Sequence, residues 1–326
     1  MDRIKALMVG VGIGISVLAC LPAGAQGYPN KPVKIIVPFA PGGGSDSVAR
    51  VLSERLAKEW GQPVIVENRA GAGGSIGAEF VAKSPADGYT LLVTDASAAT
   101  INPNVYPKLG YAAKDLTPVI NLATYPLVLL VPIKSQLHTV ADMIATDKAK
   151  PASLNGASPG SGSSPHLMLE MLNALAGSKL VHVPYKGGGP AINDLIAGHV
   201  DFSFSGLSTG AMSMISGGKL KALAVTTLAR SSNLPDVPTL AESGFQGVDI
   251  IGAQSLLVPA GTPPAIVNKL NQEFSKILDT PEVKTRWKEW GFLPRLPQSA
   301  AQTSVWFTQD IDRWGKLIKD KNIVAE

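Results

Sequence analysis

From residue 33 onward, short apolar runs alternate with stretches in which apolar side chains recur every three or four positions. Val33-Lys34-Ile35-Ile36-Val37 has the β-branched density of a strand. Pro41 to Asp46 is a turn, after which Val48, Val51, Leu52, Leu56 and Trp60 recur at helical spacing. Val64-Ile65-Val66 is the next strand, followed by a glycine-rich turn, a helix from about Ser75 to Lys83, and a third strand over Thr90 to Thr94. The pattern restarts with a strand at Leu127 to Val131 and a helix at Thr139 to Ala145. A Gly/Ser-rich loop over 155–164 leads into a helix over 165–176, with Pro165 at the first position that helices prefer for proline. A strand over 180–184, a helix over 190–197 ended by Gly198, and strands over 200–205 and 220–226 follow. An extended run over 253–258 precedes a long amphipathic helix opened by Thr262-Pro263-Pro264, and helical segments near 281–290 and 299–319 close the chain.

Strand–helix–strand order predicts an α/β fold with parallel-rich sheets and right-handed crossovers. The sequence strand, glycine loop, helix near 33–60 returns near 152–176, so two similar lobes are expected. The extended runs near 127–131 and 253–258 are the candidate crossing strands. Lobe 1 is then 27–130 plus 252–326, and lobe 2 is 131–251.

Residues 1–25 stand apart from this pattern. Arg3 and Lys5 precede an apolar run from Ala6 to Leu21, and Ala23-Gly24-Ala25 is a small-x-small cleavage site. Together they predict a secretory signal peptide cleaved after Ala25. A rival reading puts a lipid on Cys20 within Val17-Leu18-Ala19-Cys20, where Leu18 is bulky for its position. Cys20 is the only cysteine, so cleavage after Ala25 removes any thiol or disulfide chemistry. The net charge of +4 comes without a Lys/Arg run or an aromatic ladder among basic residues, so no nucleic-acid partner is expected. A monomer is expected.

The candidate chemistry lies in loops between strands and helices. Phe39-Ala40-Pro41-Gly42-Gly43-Gly44-Ser45-Asp46 places glycines where backbone can approach a ligand, just ahead of a helix start with unpaired N–H groups. That arrangement binds a carboxylate or phosphate without a cationic side chain. Asp46 is the expected helix N-cap. Ser158 to His166, containing Gly160, Ser161, Gly162 and Ser163, repeats the same logic. Across a closing cleft the two loops can hold the ends of a small acid. Tyr185, in His182-Val183-Pro184-Tyr185-Lys186-Gly187-Gly188-Gly189-Pro190 where a strand ends and a helix begins, can offer a hydroxyl or ring, and Asp201 can line the cleft or cap a neighbouring loop.

Two motifs invite other readings. Gly71-Ala72-Gly73-Gly74-Ser75-Ile76-Gly77 with Asp95 imitates a dinucleotide fingerprint. The bland account is a turn packed closely between helix and strand, and an exported protein argues against a nicotinamide cofactor. Gly206-Leu207-Ser208-Thr209-Gly210 matches the nucleophile elbow of α/β-hydrolases. All four histidines (His138, His166, His182 and His199) precede Ser208, contrary to that fold's chain order. No two of them stand at metal-ligand spacing, so neither metal nor cofactor is expected.

Several motifs, in order, resemble the Bug-type receptors of tripartite tricarboxylate transporters. They are Pro38 to Gly43 with Asp46; Val66-Glu67-Asn68-Arg69 with Gly71 to Gly74; Asp87-Gly88-Tyr89-Thr90-Leu91; His182 to Gly187; and Leu234 to Thr239 with Glu242 and Gly244. The resemblance implies a type II-like, Venus-flytrap periplasmic binding protein with a parallel-rich sheet in each lobe and crossing hinge strands. It implies a receptor, not an enzyme, that captures a small carboxylate and delivers it to membrane permease subunits. The family's first loop corresponds to Ala40 through Asp46, and its second to Ser158 through Ser163 with His166 just inside the helix. Selectivity beyond the carboxylate is expected from Phe39, Thr94, Ser97, Tyr185 and Ser205. The alternatives are an exported serine hydrolase using Ser208, an ABC-type receptor and an orphan sensor.

Overall fold

The computed structural model describes residues 27–294 and 296–320; the expected signal peptide and Cys20 lie outside them. The strands are β1 (Val33–Val37), β2 (Val64–Asn68), β3 (Thr90–Asp95), β4 (Leu116–Pro132), β5 (Asn155–Ser158), β6 (Val181–Pro184), β7 (Phe202–Gly206), β8 (Leu220–Val225) and β9 (Ile251–Pro259). The helices are α1 (Gly44–Trp60), α2 (Ser75–Ala82), α3 (Ser97–Thr100), α4 (Asn102–Val105), α5 (Val140–Ala149), α6 (Ser164–Ala176), α7 (Gly188–Ala197), α8 (Thr209–Ser216), α9 (Pro264–Leu278), α10 (Pro281–Glu289) and α11 (Ala300–Asp320).

The strands lie in the order β2-β1-β3-β9-β4-β7-β5-β6, with β8 on β4. β1 pairs in parallel with β2 and β3, and β5 pairs in parallel with β6 and β7. These are the parallel halves of two lobes. Helices cover β1 on both faces, which is why Ile35, Ile36 and Val37 are all fully buried and the strand reads as an apolar run.

One strand belongs to both sheets. Leu116 to Pro126 of β4 pairs with β9, whereas Leu127 to Pro132 pairs with β7 and β8. The change of partner falls at Pro126–Leu127. The return path crosses nearby, where Ile250 N–H donates to Thr226 O and Ile251 opens β9 opposite Pro126. With two crossing paths between the lobes among the described residues, the fold is built to hinge there.

The sequence pattern showed only the second half of β4. Its first half contains Pro118, Asn121 and Pro126 and has irregular register near Pro118 and Asn121. Prolines remove ladder donors and bulges break the period-2 alternation, so the apolar pattern fades although the strand continues. α8 and the short helices α3 and α4 were also absent from the pattern, being brief and rich in small or polar residues.

Candidate functional site

Parallel strands deliver their C-terminal ends, and the helices that follow, to one edge of a sheet. Here both lobes turn that edge toward each other. β1 runs into α1, β5 into α6, β6 into α7 and β7 into α8. All four helix starts meet at one cavity of about 70 Å³, lined by Gly43, Gly44, Ser45, Ser163, Pro165, Gly188, Ser208 and Gly210. The remaining wall is Phe39, Gly42, Asp95, Tyr125, Pro159, Ile192, Ser205, Gly206 and Gln254. None of these residues is a lysine or arginine. The donors that helix starts offer to the cavity are therefore backbone N–H groups, which have no intrahelical acceptor.

The loop after β1 is held by Asp46. Its carboxylate accepts Gly42 N–H at 3.0 Å, Asn68 Nδ2 at 3.0 Å and the Arg50 guanidinium at 2.9 Å. Burial pushes this carboxyl up, but the bonds from Arg50, Gly42 and Asn68 outweigh it and hold it below the ordinary range. Asp46 is therefore not the expected N-cap, a position held by Gly43; from the first turn of α1 its side chain reaches back and shapes the loop from behind, while Gly43, Gly44 and Ser45 face the cavity.

The loop after β5 is held by a histidine pair. Gly162 N–H donates to His166 Nδ1 at 3.1 Å, and His166 stacks on His182 with centroids 3.9 Å apart. His182 Nε2 lies 2.6 Å from Ser158 Oγ, which also accepts Gly160 N–H. Burial pushes His166 down to about 3, helped by His182, and His182 down to about 4, so both rings are neutral. Ser163 caps α6, accepting His166 N–H at 3.4 Å and donating to Gly160 O at 2.7 Å.

Contacts across the cleft describe a closed conformation. Ala40 N–H donates to Lys186 O at 2.8 Å, Tyr106 hydroxyl to Ser161 O at 2.7 Å, and Ser164 Oγ to Asp95 Oδ1 at 3.0 Å. The glycine run that imitated a dinucleotide loop serves this closure. Gly73 sits at φ 56, and a Cβ there would lie 1.8 Å from Ser161 O. Gly77 lets α2 pack on Pro38, whose Cβ would be 2.6 Å from an added methyl.

A buried chain of side-chain bonds links the first loop to the second lobe, and its direction is forced. A carboxylate only accepts, so Tyr125 hydroxyl donates to Asp95 Oδ2. Burial, with the adjacent Asp95, pushes that hydroxyl well above its ordinary value, so it keeps its proton. Its oxygen then accepts Gln254 Nε2 at 3.1 Å, which turns Gln254 Oε1 toward Ser45 Oγ, the donor at 2.6 Å. Ser97 N–H and Ser164 Oγ supply Asp95 Oδ1 at 2.9 and 3.0 Å.

Of the residues singled out in the sequence, Phe39, Gly42, Gly43, Gly44, Ser45, Ser163 and Ser205 line the cavity. Ala40, Gly160, Ser161 and Gly162 form the touching rims of the two loops. Asp46, Ser158 and His166 stand behind them. Thr94 is fully buried with its hydroxyl on Asp95 O, and Ser97 holds Asp95 through its backbone. Tyr185 hydroxyl donates to Asp194 at 2.8 Å instead of reaching the cavity. Asp201 accepts Asn155 N–H at 2.7 Å before β7 begins, at the end of the sheet opposite the cleft. Tyr125 and Gln254 carry no motif of their own, whereas Asp95 stands out only in the dinucleotide imitation and Gly188 only as part of the glycine run after Tyr185. Tyr125 and Gln254 lie on the crossing strands, so only the pairing of β4 with β9 brings them to the site. A larger groove of about 390 Å³ lies along α11, but none of its lining residues belongs to a helix's first turn.

A family model described as "Tripartite tricarboxylate transporter family receptor" matches residues 48–323. Protein BugT of Bordetella pertussis is 36% identical over 322 residues, covering 98% of each chain. Among solved structures, MatC of Rhodopseudomonas palustris with bound malate superposes with a TM-score of 0.85 at 34% identity, covering 89% of this chain and 100% of that one. Rpa4515 of R. palustris with adipate superposes with a TM-score of 0.86 at 33% identity, covering 91% and 99%. Fold, cleft and sequence agree: this chain belongs to the Bug-type periplasmic receptors of the tripartite tricarboxylate transporter family.

Proposed function

We propose that this receptor recognises its solute's carboxylate through main-chain N–H groups of α1, α6, α7 and α8, and carries out no chemistry on it. The observation that carries this reading is the meeting of four helix starts at one cavity with no cationic side chain in its wall. The closed cavity is small, about 70 Å³. A short aliphatic acid fits that space better than an aromatic one. The lobes divide at Pro126–Leu127 and Ile250–Ile251, so the units that move are 27–126 with 251–294 and 296–320, and 127–250. The closed surface, with the loop rims in contact, is what the membrane permease subunits recognise on a monomeric receptor delivered by a cleaved signal peptide.

The hydrolase alternative lacks a base. Ser208 lines the cavity, but among the described hydrogen bonds none joins its hydroxyl to a histidine. His166 and His182 are committed to the second loop, and His138 and His199 are bonded to Lys221 and Asp194.

A thermal-shift panel of aliphatic and aromatic mono-, di- and tricarboxylates, with sugars and amines as controls, tests the proposal. A ligand at ~100 times its dissociation constant adds ~2.7 kcal/mol of stability. Stabilisation by short acids alone is expected; stabilisation by a neutral sugar or an amine would overturn the reading.

A further inference from the structure

The cavity has two poles. Helix starts supply donors on several sides, but one wall is a carboxylate: Asp95 is only 7% exposed and none of the described ion pairs involves it. Its three bonds come from Ser97 N–H, Ser164 Oγ and Tyr125 hydroxyl. A carboxylate offers about four acceptor positions, so one remains, on the oxygen shared with Tyr125. Among the described hydrogen bonds no further side chain of the wall fills it, Ser208 included. Ser45, Gln254 and Tyr125 donate in one direction along the chain that ends on Asp95, while Ser163 and Ser205 donate to the backbone of Gly160 and Gly206. A pure acid has nothing to give this position, and its own charge would be repelled there.

We infer that the solute carries a hydrogen-bond donor beside its carboxylate, a hydroxyl or an ammonium group, and that Asp95 is the specificity residue that accepts from it. This rests on the carboxylate-receptor reading and narrows the substrate class to α-hydroxy or α-amino acids. The carboxylate sits against the helix starts, and the substituent sits toward β3 and the crossing strands. A ligand lacking the donor leaves a buried acceptor unsatisfied, which costs more than the bond itself contributes.

The test is titration calorimetry with two matched sets, propanoate, lactate and alanine, then succinate, malate and aspartate. In the wild-type protein the hydroxy or amino member is expected to bind at least tenfold tighter than the unsubstituted acid of its set. The tighter of the two identifies the donor as hydroxyl or ammonium. In Asp95→Asn the preference should shrink to within about threefold, whereas a merely structural role would weaken all members alike and leave the ratio intact. An unsubstituted acid binding as tightly as its substituted partners overturns the inference while leaving the receptor reading in place. Failure of every acid to bind overturns both. The wild-type ratio decides even if the variant does not fold.

Discussion

Gly43 is the residue through which recognition is most easily separated from folding. Its φ of −82 and ψ of 175 suit any residue, and an added Cβ would meet only ordinary contacts, the nearest being Gly188 N at 3.7 Å. The extra methyls of a valine must then enter the cavity. Gly43→Val is expected to fold with an unchanged melting temperature and to lose at least tenfold in affinity, ~1.4 kcal/mol, by calorimetry. Tyr125 works the other way. Tyr125→Phe leaves Asp95 Oδ2 and Gln254 Nε2 without their shared partner in a buried site. Denaturant unfolding should show a loss of ~1–3 kcal/mol.

At the scale of elements, the four strand–loop–helix units position the site, and they were legible because glycines and helix periods stand next to each other in the chain. Val33 to Val37 followed by Gly42 to Gly44 announces a helix start with exposed N–H groups whatever the tertiary context. Tyr125 and Gln254 were not legible, since their meeting depends on β4 pairing with β9 across 129 residues of chain. Asp95 shows the opposite limit: it attracted notice as part of a dinucleotide imitation, and its true neighbours, Ser164 and Tyr125, come from other elements. The rims also carry a testable bond. Tyr106 on the first lobe donates to Ser161 O on the second, a contact that exists only when the cleft is closed. Tyr106→Phe is expected to weaken binding of any solute by ~0.5–1.5 kcal/mol without preference among acids, measured by calorimetry. An unchanged affinity would mean that this bond does not contribute to closure.

The whole molecule is a hinged pair of lobes, and a solute that bridges them shifts the population toward the closed form by its differential affinity. The same architecture sets a pH dependence. His166 and His182 stay neutral in the folded chain down to about 3 and about 4, whereas in the unfolded chain they take up protons near the usual value of about 6.5. The unfolded state then binds more protons, so stability falls as pH drops from about 6.5 to about 4, by up to ~2.7 kcal/mol per pH unit if both rings contribute fully. Asp46, lowered overall, loses its contribution only below the usual aspartate range, and Asp310, raised by burial, acts in the opposite sense near the bottom of the window. Chemical unfolding at a series of pH values should show this slope, and His182→Asn, with one titrating ring left, should halve it.

The central claim is that helix starts, not side-chain cations, hold a carboxylate in the closed cleft. Calorimetric titration of the most stabilising short acid beside its primary amide tests it directly, since the amide nearly keeps shape and size but removes the charge that four helix starts attract. The free acid should bind at least tenfold tighter than its amide. Equal binding of the two would show that the helix starts do not select for charge and would contradict the account.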